Sequence, residues 1–217
     1  MTPNVAEIIK KAQTLGFSID ILPWNCQYSR YHLHAQNQYM AINACLYWHM
    51  PFFEYSAIID VDEYISYRGA ALKTLPVILD ELEQENPDAA AYLFRHMMLS
   101  RPEKVADIAQ NLSLPFEIFL ATERQEEANF ASARSKTICR SDRIVTSTIH
   151  TIGEPLAPYR QVIVPPNYAV LFHVRKIPLS TGQNLTTDLE MRKYYEPMKR
   201  HPFCSPLLQT LSGSWWQ

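Results

Sequence analysis

The sequence predicts an α/β layer fold, and three observations carry the prediction. An amphipathic helix pattern near the start runs into a short alternating stretch. The run Ala57-Ile58-Ile59 reads as a strand buried on both faces, as in a parallel sheet. A second amphipathic helix is followed by a further apolar, extended segment. Such alternation of helix and strand is the pattern of layered α/β domains.

Each element has its own signal. Pro3 suits the first turn of a helix, and Val5, Ile8, Ile9, Ala12 and Leu15 recur at helical spacing. Gly16 stops that helix. Residues 17–22 alternate apolar and polar as a strand does, and Pro23 closes them. Residues 25–34 read as a polar, aromatic loop. Residues 38–50 suit a helix with Met40, Ala41, Ala44, Cys45 and Trp48 on one face, ended by Pro51. A strand follows over residues 55–64. The spacing of Leu75, Ile78, Leu79 and Leu82 predicts a helix over 74–84, with Thr74 as N-cap and Pro76 in its first turn. Residues 89–99 are apolar and extended. Residues 100–134 show no sustained period and read as a substrate-facing segment. Residues 136–139, 143–152 and 169–174 read as strands, and 188–200 as a charged helix interrupted at Pro197. No repeat and no domain boundary is visible, so residues 1–217 read as one domain.

Composition narrows the function. Only 5 glycines are present, so neither a Walker loop nor a dinucleotide fingerprint can be assembled, and any phosphate must be held by metal or side chains. The formal net charge of -2 gives no electrostatic footprint for nucleic acid. The pairs Arg192-Lys193 and Lys199-Arg200 read as a solvated helix face. Cys26, Cys45, Cys139 and Cys204 form no CxxC pair, which argues against structural zinc and leaves disulfide pairing open. The sequons at Asn111 and Asn184 weakly favour a secretory setting. No signal peptide or membrane-spanning run is visible. Met1 leads almost directly into a helix, as an internal part of a longer chain does.

The chemistry centres on Asp60-Val61-Asp62-Glu63. On a continuing strand Asp60 and Asp62 share one face, while Glu63 faces away and holds backbone or a basic neighbour. Two adjacent carboxylates repel, and a divalent cation relieves the conflict. Mg2+ or Mn2+ prefers hard oxygen ligands together with phosphate oxygens. The carboxyl end of a central strand is also where open α/β sheets bind ligands. A solvated turn or a calcium site is the alternative for so short a motif.

The wider segment is more specific. The helix residues Gln38 to Leu46, containing Asn43-Ala44-Cys45-Leu46, precede Phe53-Glu54-Tyr55-Ser56-Ala57-Ile58-Ile59 and Asp60-Val61-Asp62-Glu63-Tyr64-Ile65. Downstream come Arg134-Ser135-Lys136-Thr137-Ile138, His150, and Leu171-Phe172-His173-Val174-Arg175. In this order, over residues 22–176, the segments resemble glycosyltransferase family 92. Cys139-Arg140-Ser141 departs from that pattern, where a proline is usual.

The resemblance implies a GT-A-like, Rossmann-type mixed sheet flanked by helices, with its first strands lying before Met1. It implies Mn2+ (or Mg2+), a UDP-sugar donor and a glycan or glycoprotein acceptor. The implied reaction is inverting transfer, of galactose, in the Golgi lumen. The implied attachment is a type II membrane anchor outside this chain.

Under this resemblance the metal ligands are Asp60, Asp62 and His173, and donor contacts come from Asp60, Asp62, Arg134, Lys136, His150 and Arg175. Taken alone, His173 on an apolar strand also reads as a core histidine. Arg134 and Lys136 also read as ion-pair partners of Glu126-Glu127. His150 reads equally as a structural hydrogen-bond donor. An inverting transfer needs a general base. Glu117, Glu123, Glu126 and Glu127 are the candidates, and Glu123 is the one taken. Trp24, Tyr28, Tyr31 and Trp48 read as core or as stacking platforms, and Trp215-Trp216 as a cap on the core. Two other functions compete: an inactive relic that binds nucleotide-sugar or glycan without transfer, and a phosphoester hydrolase. The hydrolase lacks the tight His and carboxylate motifs it needs.

Overall fold

The computed structural model describes residues 3–22, 34–100, 117–128, 134–175 and 185–201. Expectations for the loop at 25–33, most of 100–134, both sequon asparagines, Cys26, Cys204, Trp24, Tyr28, Tyr31 and Trp215-Trp216 lie outside these residues.

Helix α1 spans Pro3–Thr14. Gly16 ends it at φ 91°, a conformation glycine adopts without strain, and the Phe17 N–H donates to the Ala12 carbonyl at 3.1 Å. Residues 17–22 then form neither helix nor strand. Their alternation is real, but a strand needs a ladder partner, and no described residues pair with them.

Helix α2 spans His34–His49. Its buried side is carried by Leu46, with Ile42 half-buried, while Met40 and Trp48 are exposed. The apolar face therefore lies nearly half a turn from the one that the sequence spacing predicts. Asn43 explains the rotation. Its side-chain amide donates to the Ser147 carbonyl and accepts from the Ser147 N–H, each at 2.8 Å. The pair pins the Asn43 face of α2 against the sheet.

Strands β1 (Ser56–Ile58) and β2 (Glu63–Tyr67) flank the acidic motif. Helix α3 (Leu75–Glu85) follows with Thr74 as N-cap, though the Thr74 side chain makes no capping bond. Ile78, Leu79 and Leu82 bury its inner face against Tyr92, Phe94, Ile138, Val164 and Leu171. Each such burial stabilises by about 1.5–3 kcal/mol.

The expected extended stretch at 89–99 is two strands, β3 (Ala89–Phe94) and β4 (His96–Ser100), with Arg95 between them. Strand β5 is Glu123–Gln125 and β6 is Lys136–Cys139. The segment at 143–152 becomes a hairpin of β7 (Ile144–Ser147) and β8 (Ile152–Pro155). Strands β9 (Arg160–Val164), β10 (Ala169–Arg175) and β11 (Leu185–Thr187) follow. The terminal helix is a 3-10 segment, Glu190–Tyr194, then α4, Tyr195–Arg200. The change comes before Pro197, which sits in the first turn of α4, where a missing N–H is harmless.

Two mixed sheets result. The first has the order β1-β6-β3-β9 and the second β11-β5-β4-β10-β2. Parallel pairs occur in both, β3 with β9 and β4 with β10. β3, inside the first sheet, is buried at all six positions. β1 is not the doubly buried strand its apolar run predicts: it is an edge strand, antiparallel to β6, with Ile59 beyond it 43% exposed. One neighbour leaves half of it in contact with solvent.

The chain crosses from the first sheet to the second at Asp60–Asp62, between β1 and β2, at Arg95, between β3 and β4, and at residues 165–168, between β9 and β10. The first of these crossings is the acidic motif. Among the described residues, no helix is long and apolar enough to cross a membrane.

Candidate active site

Asp60 and Asp62 sit on a turn, not on a continuing strand. The Glu63 N–H donates to the Asp60 carbonyl at 3.1 Å, and the Val174 N–H donates to the Asp62 carbonyl at 3.1 Å. The turn breaks the two-residue alternation, so Glu63 is not on a face away from the aspartates. Its Oε2 accepts from the Asp60 N–H at 2.8 Å and lies 3.4 Å from Lys136 Nζ. Glu63 holds backbone and a basic neighbour, as the sequence predicts, but does so inside the cluster. Val61, at the tip, is 98% exposed.

Lys136 opens β6, one residue before the Ile58–Thr137 pair, which brings its side chain to the turn. Its Nζ donates to Asp60 Oδ2 at 2.8 Å. Lys136 therefore meets the carboxylates of the site rather than Glu126-Glu127, and both of those are exposed elsewhere. The side chains of Lys136 and Glu63 are each 1% exposed. Burying this cation is tolerable only because two carboxylates surround it.

His173 lies directly opposite Glu63 in the β10–β2 ladder. Its Nε2 is 3.2 Å from Asp62 Oδ2, and its Nδ1 is 3.7 Å from Glu63 Oε1. Behind it, His96 Nε2 lies 3.1 Å from His173 Nδ1, with the rings edge to face. His96 is fully buried, and its pKa is pushed down to about 4 by burial and by the positive charge of His173, Arg134, Arg175 and His150. The sequence reading missed His96. The signal was available: one imidazole, beside Arg95, in a largely apolar extended stretch at residues 89–99.

The other predicted residues fall as follows. Arg175 Nε is 4.0 Å from Asp62 Oδ2. His150 Nδ1 lies 3.2 Å from the Ser135 carbonyl and donates to it, leaving Nε2 as its acceptor when neutral. Arg134 is exposed and has φ 56°, a left-handed conformation rare for arginine and found most often where surroundings enforce it. Arg134, His150 and Arg175 all contribute to the positive potential at His96, so they border the cluster. Glu123 is exposed on β5, level with Ser100, and Ser100 is level with Arg175. Residues level across a sheet share a face. Glu123 is thus on the face that carries His173 and Arg175, about 10 Å from Arg175 along the ladder. It makes no direct contact with the cluster.

A cleft of about 610 Å³ opens beside the turn, lined by Ser18, Gln38, Ile42, Phe53, Asp60 and Lys136 among others. Its wall is apolar on α2 and β1 and charged at the Asp60–Lys136 end.

The donor set was tested for fit to a divalent cation. Two ligands of one such ion stand roughly 3 Å apart when each is about 2.1 Å from it. The Asp62–His173 separation of 3.2 Å matches this. Asp60 has one oxygen on Lys136 and a side chain 51% exposed. Among the described residues, no group of three or more His, Cys, Asp or Glu side chains is placed to hold a metal ion, so the protein itself offers the Asp62–His173 pair and substrate oxygens would have to complete the shell. Hard oxygens with one imidazole suit Mn2+ or Mg2+, and an open shell leaves room for phosphate oxygens.

Mixed sheets flanked by helices, with this acidic turn at their junction, define a GT-A-like glycosyltransferase domain. The sequence profile of glycosyltransferase family 92 matches residues 1–203, and the chain belongs to that family. None of the curated protein sequences matches it significantly. Family membership carries a coarse function, glycosyl transfer from a sugar donor to a glycan acceptor.

Proposed function

We propose that this chain binds a UDP-sugar through a divalent cation and supports inverting transfer of a hexose, galactose, to a glycan hydroxyl. The observation that carries the reading is the approach of Asp62 and His173 to 3.2 Å, two residues along the turn from an Asp60 bonded to the buried Lys136 at one end of an open cleft. Asp60, Asp62 and His173 would hold Mn2+ or Mg2+. When bound, the ion stabilises negative charge on a departing diphosphate.

The chain's own residues supply the rest. Lys136 neutralises Asp60 and Glu63 and fixes the turn. Arg175 and Arg134 offer guanidinium groups for phosphate oxygens. His150, with Nδ1 committed to the Ser135 carbonyl, offers Nε2 to a donor or acceptor hydroxyl. An inverting reaction needs a base that takes the acceptor proton. Glu123, on the face of β5 level with Ser100 and Arg175, is the proposed base. Residence in the Golgi lumen, with a membrane anchor outside this chain, belongs to the same reading.

A second reading is binding without transfer. It is favoured by the Lys136–Asp60 bond, which already occupies one oxygen of the first aspartate. Calorimetric titration of UDP with and without Mn2+ tests the site. Manganese-dependent binding supports it, and equal or absent binding in both conditions sinks it. Release of galactose onto a glycan acceptor from UDP-galactose then separates transfer from binding alone.

A further inference from the structure

His96 is the buried polar group for which the reaction as described has no use. It is 0% exposed and contacts the cluster through Nε2, 3.1 Å from His173 Nδ1. Complete burial favours the uncharged imidazole. Each neutral imidazole carries one proton, so one nitrogen donates and the other accepts. The His96–His173 contact therefore has a direction, and that direction determines what His173 Nε2 can do.

Two arrangements are open at the His96–His173 contact. In the first, His96 Nε2–H donates to His173 Nδ1, and His173 Nε2–H donates to Asp62 Oδ2. This arrangement fits the protein alone, because Asp62 then accepts a hydrogen bond across 3.2 Å. In the second, His173 Nδ1–H donates to His96 Nε2, and His96 carries its proton on Nδ1. His173 Nε2 then presents a lone pair beside Asp62. Two acceptors facing each other repel unless a cation lies between them. Both arrangements hold two protons on two rings, so the change takes up and releases none. Glu63 Oε1, 3.7 Å from His173 Nδ1, is too far for a good hydrogen bond, but its negative charge favours a proton there.

We propose that His96 is a positioning residue that accepts a hydrogen bond from His173 Nδ1–H and so frees His173 Nε2 to bind a divalent cation beside Asp62. The requirement is a side chain able to change from donor to acceptor without moving. Histidine does this by exchanging tautomers. Glutamine can do it by turning its amide, and leucine cannot do it at all. The inference rests on the reading of His173 as a cation ligand.

The test uses the full chain. Mn2+ binding in the presence of UDP is followed by the free-ion electron paramagnetic resonance signal, for the wild type, His96→Leu and His96→Gln. Loss of such a partner typically weakens metal binding about 10- to 100-fold. That loss is expected for His96→Leu, with most of the affinity recovered in His96→Gln. In parallel, the ring 15N shifts of His173 in the wild type are measured with UDP, before and after Mg2+. The expected change moves the proton from Nε2 to Nδ1.

Wild-type affinity in folded His96→Leu overturns the inference alone. So does a His173 proton that stays on Nε2 while the cation is bound. If His96→Leu fails to fold, the ring shifts decide. A wild type that binds neither Mn2+ nor Mg2+ removes the cation-site reading itself, and the inference with it.

Discussion

Lys136 and Glu63 face each other at 3.4 Å, and each side chain is 1% exposed. Removing the Lys136 charge leaves the Glu63 carboxylate buried without its counter-ion, which costs about 3–5 kcal/mol. Lys136→Met is therefore expected to lower stability by that amount in urea unfolding. The double variant Lys136→Met/Glu63→Gln should recover a large part of it. A double variant no more stable than the single would show that Asp60, not Glu63, is the important partner.

Asp62→Asn keeps the shape of the turn and removes a charge. The side chain is 43% exposed, so thermal stability should change little. Manganese-dependent UDP affinity should fall by more than about tenfold, the scale seen when even outer partners of a metal are lost. Calorimetry reads the affinity, and circular dichroism melting the stability.

Thr137 Oγ1, one residue from Lys136, is buried with no hydrogen-bond partner among the described residues. Its neighbour across the ladder is Ile58 on one side and Leu93 on the other. Thr137→Val keeps the volume and removes an unsatisfied hydroxyl. The expected gain is about 1 kcal/mol in urea unfolding. A loss instead would mean that a buried water satisfies that hydroxyl.

Asp188 gives a pH dependence. Burial alone would raise its pKa, but the Glu190 N–H and the guanidinium groups of Arg124 and Arg68 prevail and hold it below the usual aspartate range. A depressed carboxylate contributes stability above its unfolded pKa, and that contribution is lost as pH falls through the folded value. Asp188→Asn should cost about 2 kcal/mol at neutral pH. The gap between variant and wild type should close below about pH 4, where the unfolded carboxylate titrates. Urea midpoints measured from pH 7 to pH 2 test this.

Much of this molecule is legible in its sequence. The spacing of Leu75, Ile78, Leu79 and Leu82 fixes α3, and the short segment at residues 136–139 and the run before His173 mark β6 and β10. The aspartate pair and His173 were readable because charge on apolar strands demands an explanation. What was not readable depends on neighbours. Residues 17–22 alternate as a strand does but have no described partner in a ladder. The Ala57-Ile58-Ile59 run signals burial, yet β1 stands at an edge. Local periodicity also cannot show that the chain turns at Asp60–Asp62, and this turn is what brings Glu63 inward. His96 escaped notice because its role comes from a residue 77 positions away.

The acidic turn also carries its own reporters. The Asp60 amide ends on the Glu63 carboxylate, the Glu63 amide on the Asp60 carbonyl, and the Val174 amide on the Asp62 carbonyl. Loading the turn redistributes charge on those acceptors. The nuclear resonances of three backbone amides, drawn from both sides of the crossing between sheets, will therefore register occupancy directly. An unlabelled ligand library can be screened against them before any acceptor sugar is known.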